Sequence, residues 1–91
     1  MGMNITEKIL ARAAGRETVK PGQFLDCKVD QVASMDLQGK LVFNTLGLLD
    51  AESVFDRDRV AFTLDHQSPA QTVAIADVHA AIRAAARKFE I

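Results

Sequence analysis

The sequence predicts an α/β fold, a small parallel-sheet unit with helices packed on it, and three observations point there. Stretches with helical spacing alternate along the chain with stretches of strand character. The run Val60-Ala61-Phe62-Thr63-Leu64 is almost continuously apolar, as expected of a strand buried on both faces in a parallel sheet. The resulting order of helix, strand, helix, strand, helix implies parallel strands joined by right-handed crossovers.

Taken in order, Asn4 is an N-cap, and Glu7 three residues later completes a capping box. Ile5, Ile9, Leu10 and Ala13 share one helical face, and Gly15 stops that helix. Lys20-Pro21-Gly22-Gln23 is a turn, with Pro21 setting its own φ and Gly22 free to take a positive one. From Phe24 to Val32 the residues alternate: Leu25, Cys27 and Val29 point one way, Asp26, Lys28 and Asp30 the other. That pattern predicts a strand with one wet face, on whose apolar side Cys27 is a small buried hydrophobe.

Residues 38–46 fit either a helix or a strand; a short helix is favoured, with Gly47 as its C-cap. Asp50 and Ser53 suggest a further turn, and Asp56-Arg57-Asp58-Arg59 reads as a solvated loop. After the apolar strand, Ser68, Pro69 and Gln71 fall at the N-cap, N1 and N3 positions of a last helix. Ile75, Val78, Ile82, Ala85 and Phe89 give that helix one apolar stripe, leaving His79 as a partly exposed residue between Val78 and Ile82. Arg87 and Lys88 complement its dipole.

Length and composition limit what such a chain does. The 91 residues suffice for a single domain spanning 1–91, without room for a complete active site. A net charge of −1 supplies no general attraction to nucleic acid or to an anionic membrane. No apolar run approaches the ~18 residues that cross a bilayer, and the start of the chain lacks the pattern of a signal peptide. The single cysteine, Cys27, excludes an internal disulfide and an all-cysteine metal site, so no metal ligand is assigned; a lone thiol fits a reducing cytoplasm.

Two places remain for chemistry. Asp65-His66 follows the apolar strand directly and precedes a capped helix. In α/β folds, ligands gather beyond the carboxyl ends of strands, where helix N-termini attract anions. An imidazole there transfers a proton near neutral pH, and a neighbouring carboxylate orients it. The alternative is a polar strand end without a role. Ser34-Met35-Asp36 ends the earlier strand and puts Asp36 in the equivalent place, facing the same crevice, although an Asp at a strand end is also a common turn former or helix cap.

Several runs together resemble a known family: ITEKILARAAG (5–15), PGQFLDCKVDQV (21–32), VFDRDRVAFTLDH (54–66) with SPA just after it, and the closing RKFEI (87–91). They are similar to the N-terminal segment of the 3-isopropylmalate dehydratase and homoaconitase large subunits, in the aconitase superfamily. The resemblance implies part of an aconitase-like α/β/α domain. It also implies a hydro-lyase acting on a hydroxy di- or tricarboxylic acid, 3-isopropylmalate-like and of leucine biosynthesis. The parent would be the enzyme, and the 91 residues alone would not be active. A [4Fe–4S] cluster is implied for the parent, none for this chain. The partners implied are the remainder of the large subunit, a small subunit carrying a swivelling domain, and a small carboxylic acid substrate; an incomplete unit would also self-associate.

By the same resemblance Asp65 and His66 match the family's Asp-His pair, with His66 protonating the departing hydroxyl, and Asp36 matches an Asp in a stretch that touches substrate. Met35 departs from the polar residue the family carries before that Asp, and a methionine donates no hydrogen bond to a carboxylate. Gln38-Gly39-Lys40 departs from a Thr-Ala-Pro-like segment, the stretch from Leu48 to Ser53 is longer, and Cys27 matches no cluster ligand. The alternative reading is a stand-alone binding or assembly module derived from the same fold; a third is an unrelated α/β domain.

Overall fold

A computed structural model describes residues 2–91. Its elements are α1 (Ile5–Ala13), β1 (Val32–Met35), α2 (Asp36–Leu48), β2 (Val60–Thr63) and α3 (Val73–Lys88), with a 3₁₀ turn at Arg57–Arg59. This is the α/β order that the sequence predicts. The chain forms two compact units, one ending at Asp30 and the other running Gln31–Ile91.

In the first unit, Asn4 and Glu7 make the expected capping box: the Glu7 N–H donates to Asn4 Oδ1, and the Asn4 N–H to Glu7 Oε2, both at 2.8 Å. Gly15 (φ +63°) and Gly22 (φ +86°) take the left-handed conformations foreseen for them. Ala11 and Val19 are buried, whereas Ile5 and Ile9 on the apolar face of α1 stay exposed. The strand expected over Phe24–Val32 does not form. Alternation is necessary for a strand but pairing makes one, and the described residues of this unit contain no partner strand. The stretch is tied down locally instead, by the Lys28 N–H donating to the Ala13 carbonyl at 2.9 Å, and Phe24 lies fully open at 99% exposure. Cys27 is half-buried, its thiol 3.9 Å from the Leu10 carbonyl oxygen.

The second unit holds the sheet. β1 and β2 pair in parallel, with Val32 opposite Val60 and Met35 opposite Thr63, and α2 is the crossover between them. β2 is not buried on both faces as its composition suggests. Val60 and Phe62 are half-buried while Ala61 and Thr63 are exposed, because only one face of the two-stranded sheet is covered.

Packing on that face is close. The Phe43 ring of α2 stacks on Phe62 of β2 with centroids 4.5 Å apart, and on Phe89 after α3 at 5.9 Å. At Gly39 a Cβ would stand 2.8 Å from Cδ1 of Ile82, a side chain only 2% exposed. The missing side chain lets α2 and α3 approach there. The α3 stripe faces inward as expected, and Ile82 and Phe89 are its most buried apolar members.

Two expected helix ends move. α3 starts at Val73 with Thr72 as N-cap, its hydroxyl accepting from the Ile75 N–H at 3.2 Å, and Ser68-Pro69, a cis peptide, belongs to the preceding loop. The Thr72 hydroxyl meets an orphan N–H of the first turn, which is what an N-cap supplies. Gly47 lies inside α2 and not beyond it. All three helices end in the same doubly bonded wrap, with the left-handed residue just past the cap. Arg16, Ala51 and Ile91 N–H groups reach back to Ala11, Leu46 and Ala86 carbonyls at 2.9, 3.0 and 2.9 Å. Glycine fills the left-handed position after α1, but Asp50 (φ +51°) and Glu90 (φ +57°) fill it after α2 and α3. A side chain there costs on the order of 1 kcal/mol, and an acid at a helix C-terminus opposes the dipole. Asp50→Gly is therefore expected to stabilise the fold by about 0.5–1 kcal/mol, read as a higher midpoint in urea unfolding; an unchanged or lower midpoint would show that no strain is held at Asp50.

Candidate functional site

Parallel pairing puts the carboxyl ends of β1 and β2 on one edge, since Met35 lies opposite Thr63. Asp36 follows the first strand immediately and opens α2; Asp65, His66 and Gln67 follow the second and form a turn. The expected neighbourhood of the two candidate segments is thus a matter of register.

Asp36 is the centre of this edge. Its side chain is 1% exposed, yet it is a carboxylate. Oδ2 accepts the backbone N–H of Gln67 at 2.9 Å and meets Nε2 of His79 at 2.9 Å. Oδ1 is buried without a hydrogen-bond partner. Because an ionised carboxylate only accepts, Nε2 of His79 carries the proton in this contact. Burial pushes the Asp36 carboxyl up. The Gln67 N–H, the bond from His79 and the charges on His79 and His66 outweigh it and hold the carboxyl below its ordinary range. The position at the start of α2 is also favourable for a negative charge, and it matters here because the N-cap, Met35, offers no side-chain hydrogen bond.

The residues predicted from sequence divide. Asp65 and His66 are exposed on the turn, side by side in sequence and open to solvent. Asp36, expected to face substrate, lies beneath that turn with Oδ2 already committed to two donors. His79, expected to be a partly exposed helix residue, is 5% exposed and is the partner of Asp36. The signal was available: 75, 79, 82, 86 and 89 step by four and three, so His79 stands on the buried stripe of α3 itself. A histidine at such a position needs a polar partner from another element. Gln67 was not foreseen at all, because its contribution is a backbone N–H.

Among the described residues, no group of three or more His, Cys, Asp or Glu side chains is arranged to hold a metal ion. The donor set does not fit a cluster held by three thiolates: there is one cysteine, and its thiol faces a carbonyl of α1. No helix among the described residues is long and apolar enough to cross a membrane.

In sequence the chain is similar to the N-terminal part of dehydratase large subunits. The 3-isopropylmalate dehydratase large subunit of Heliobacterium modesticaldum is 38% identical over all 91 residues. That of Pyrococcus furiosus, large subunit 1, is 42% identical over 76 residues, 84% of this chain. The 2,3-dimethylmalate dehydratase large subunit of Eubacterium barkeri is 40% identical over 73 residues, 80% of this chain. The chain spans 22%, 18% and 17% of these three curated relatives. No protein-family profile matches it.

The lowered Asp36 carboxyl makes stability depend on acid. A depressed folded-state value gives stabilisation that is complete above the unfolded value, about 3.9, and lost as the pH falls through the folded one. Urea midpoints should hold steady down to about pH 5 and drop as acid enters and passes below the ordinary carboxylate range. Asp36→Asn should flatten that decline, and a variant with an identical acid profile would show that other carboxylates carry it.

Proposed function

We propose that this chain forms part of a hydro-lyase of the aconitase superfamily that dehydrates a hydroxy di- or tricarboxylic acid of the 3-isopropylmalate type. The observation that carries the reading is 38% identity with a dehydratase large subunit across every residue of the chain. Asp65 and His66, exposed at the carboxyl edge of the sheet, support it.

In this reading His66 is the catalytic acid. Dehydration breaks a C–O bond and a C–H bond on adjacent carbons. The imidazolium of His66 gives its proton to the departing hydroxyl, which leaves as water, and the carbon-bound proton goes to a base supplied by the remainder of the large subunit. In the reverse direction the neutral ring takes a proton from the incoming water. Asp65 orients the ring. Cluster ligands belong to the remainder of the large subunit, a small subunit carrying a swivelling domain completes the enzyme, and the site of action is the cytoplasm. The 91 residues alone are inactive. Direct contact with substrate falls to Asp65 and His66, because Asp36 is buried under them.

A second reading has its own observation. Met35, at the mouth of this edge, replaces a polar residue of the family pattern and cannot bind a carboxylate; it favours a binding or assembly module that keeps the fold without the reaction.

A chimera separates the two. These 91 residues would replace the matching stretch of the Heliobacterium modesticaldum large subunit, assembled with its small subunit and assayed on 3-isopropylmalate. Turnover that falls by ~10²–10⁴ in His66→Ala, the usual worth of a positioned general acid, supports the hydro-lyase. Equal turnover with and without His66 removes it. Activity that appears only with Met35→Asn favours the module.

A further inference from the structure

We infer that Asp36 and His79 are a buried positioning pair that holds the Asp65-His66-Gln67 turn in place through a single oxygen atom. For its bearing on catalysis this rests on the hydro-lyase reading; as a statement about the turn it stands on the geometry alone.

Asp65, His66 and Gln67 are not part of any helix or strand. The hydrogen bond from this turn to the body of the unit runs through the Gln67 N–H, adjacent to His66, and ends on Asp36 Oδ2. The same oxygen receives Nε2 of His79, from the second turn of α3. Three segments that are distant in sequence therefore meet on one acceptor: the start of α2, the turn after β2, and α3. Neither donor is replaceable by solvent, since Asp36 and His79 are 1% and 5% exposed.

Sharing has a consequence. With Oδ1 unpaired, the carboxylate is oriented by its two donors together, and removing the imidazole frees it to rotate away from the Gln67 amide. His79 thus acts on His66 from a distance, by fixing the acceptor that fixes the neighbouring peptide. Neither Asp36 nor His79 touches substrate; both are positioning residues.

The chain contains only two histidines, which makes the pair accessible to nitrogen-15 NMR of these 91 residues. In the wild type, Nε2 of His79 should carry a proton and the Gln67 amide should exchange slowly with solvent. His79→Leu should speed exchange of the His66 and Gln67 amides at least tenfold while the amides of α2 and α3 keep their protection. His79→Gln, whose Nε2 can donate to the same oxygen, should restore it. An Nδ1–H tautomer in the wild type, a Gln67 amide that exchanges as in an open loop, or a loss of protection spread evenly over residues 31–91 in His79→Leu would each overturn the inference; the last would make the pair merely structural. In the dehydratase chimera, His79→Leu should lower kcat about 10- to 100-fold with KM little changed, and His79→Gln should recover it. If the NMR results hold while His66→Ala leaves turnover intact, the anchored turn stands and the hydro-lyase reading falls.

Discussion

A buried carboxylate is a demanding thing to place in a unit this small, and Asp36 dictates much of what surrounds it. Away from water an ionised group needs donors, and here they come from a backbone amide and an imidazole on the same oxygen. The helix that Asp36 opens contributes its N-terminal dipole, which matters more because Met35 supplies no cap. The turn after β2 must present Gln67 inward, and so presents Asp65 and His66 outward. The helix α3 must bring a histidine onto a stripe otherwise made of Ile, Val, Ala and Phe. Removing one partner of such a pair is far more damaging than never having had it, since the remaining charge is left buried.

The apolar contacts work to the same end. Phe43 stacks between the ring of β2 and the ring that follows α3, and Gly39 lets Ile82 come within reach of the α2 backbone. These contacts cover one face of a two-stranded sheet, whose other face stays open. They are what a short unit can bury, and at Gly39 and Ile82 they lie one turn from the Asp36–His79 contact.

How far the sequence spoke depended on whether a signal was local. The capping box of Asn4 and Glu7, the turn at Pro21-Gly22, the strand at 60–63 and the stripe of α3 all rest on residues a few positions apart, and each is present. The strand expected at 24–32 failed because alternation does not say whether a partner lies alongside; pairing moved to Val32–Met35, where β2 is. Gly47 looked like a helix stop, but the chain wrapped three residues later, where the Ala51 N–H finds the Leu46 carbonyl. Ser68 and Pro69 looked like a helix start, and Thr72 took that role with its own hydroxyl. The place of Asp65 and His66, just beyond the carboxyl end of β2, was legible because it is local. The Asp36–His79 contact was not, because it joins residues 43 apart and one of its three members, Gln67, contributes only backbone.

Contacts between α2 and α3 also follow one another in sequence: Asp36 meets His79, Gly39 meets Ile82, and Phe43 meets Phe89. They ascend together, so the two helices run in the same direction, and each level differs in kind: hydrogen-bonded, close-packed, aromatic. If α3 slipped along α2 by one turn, about 5.4 Å, so that Ile82 faced the carboxylate, Asp36 would keep the Gln67 amide but lose the imidazole, Gly39 would face a smaller alanine, and Phe43 would part from Phe89. A misaligned docking of these helices is therefore rejected at every level at once. Uniform apolar helices could slide and remain nearly as well packed; these cannot, and the dissimilarity of the levels makes the native alignment unique.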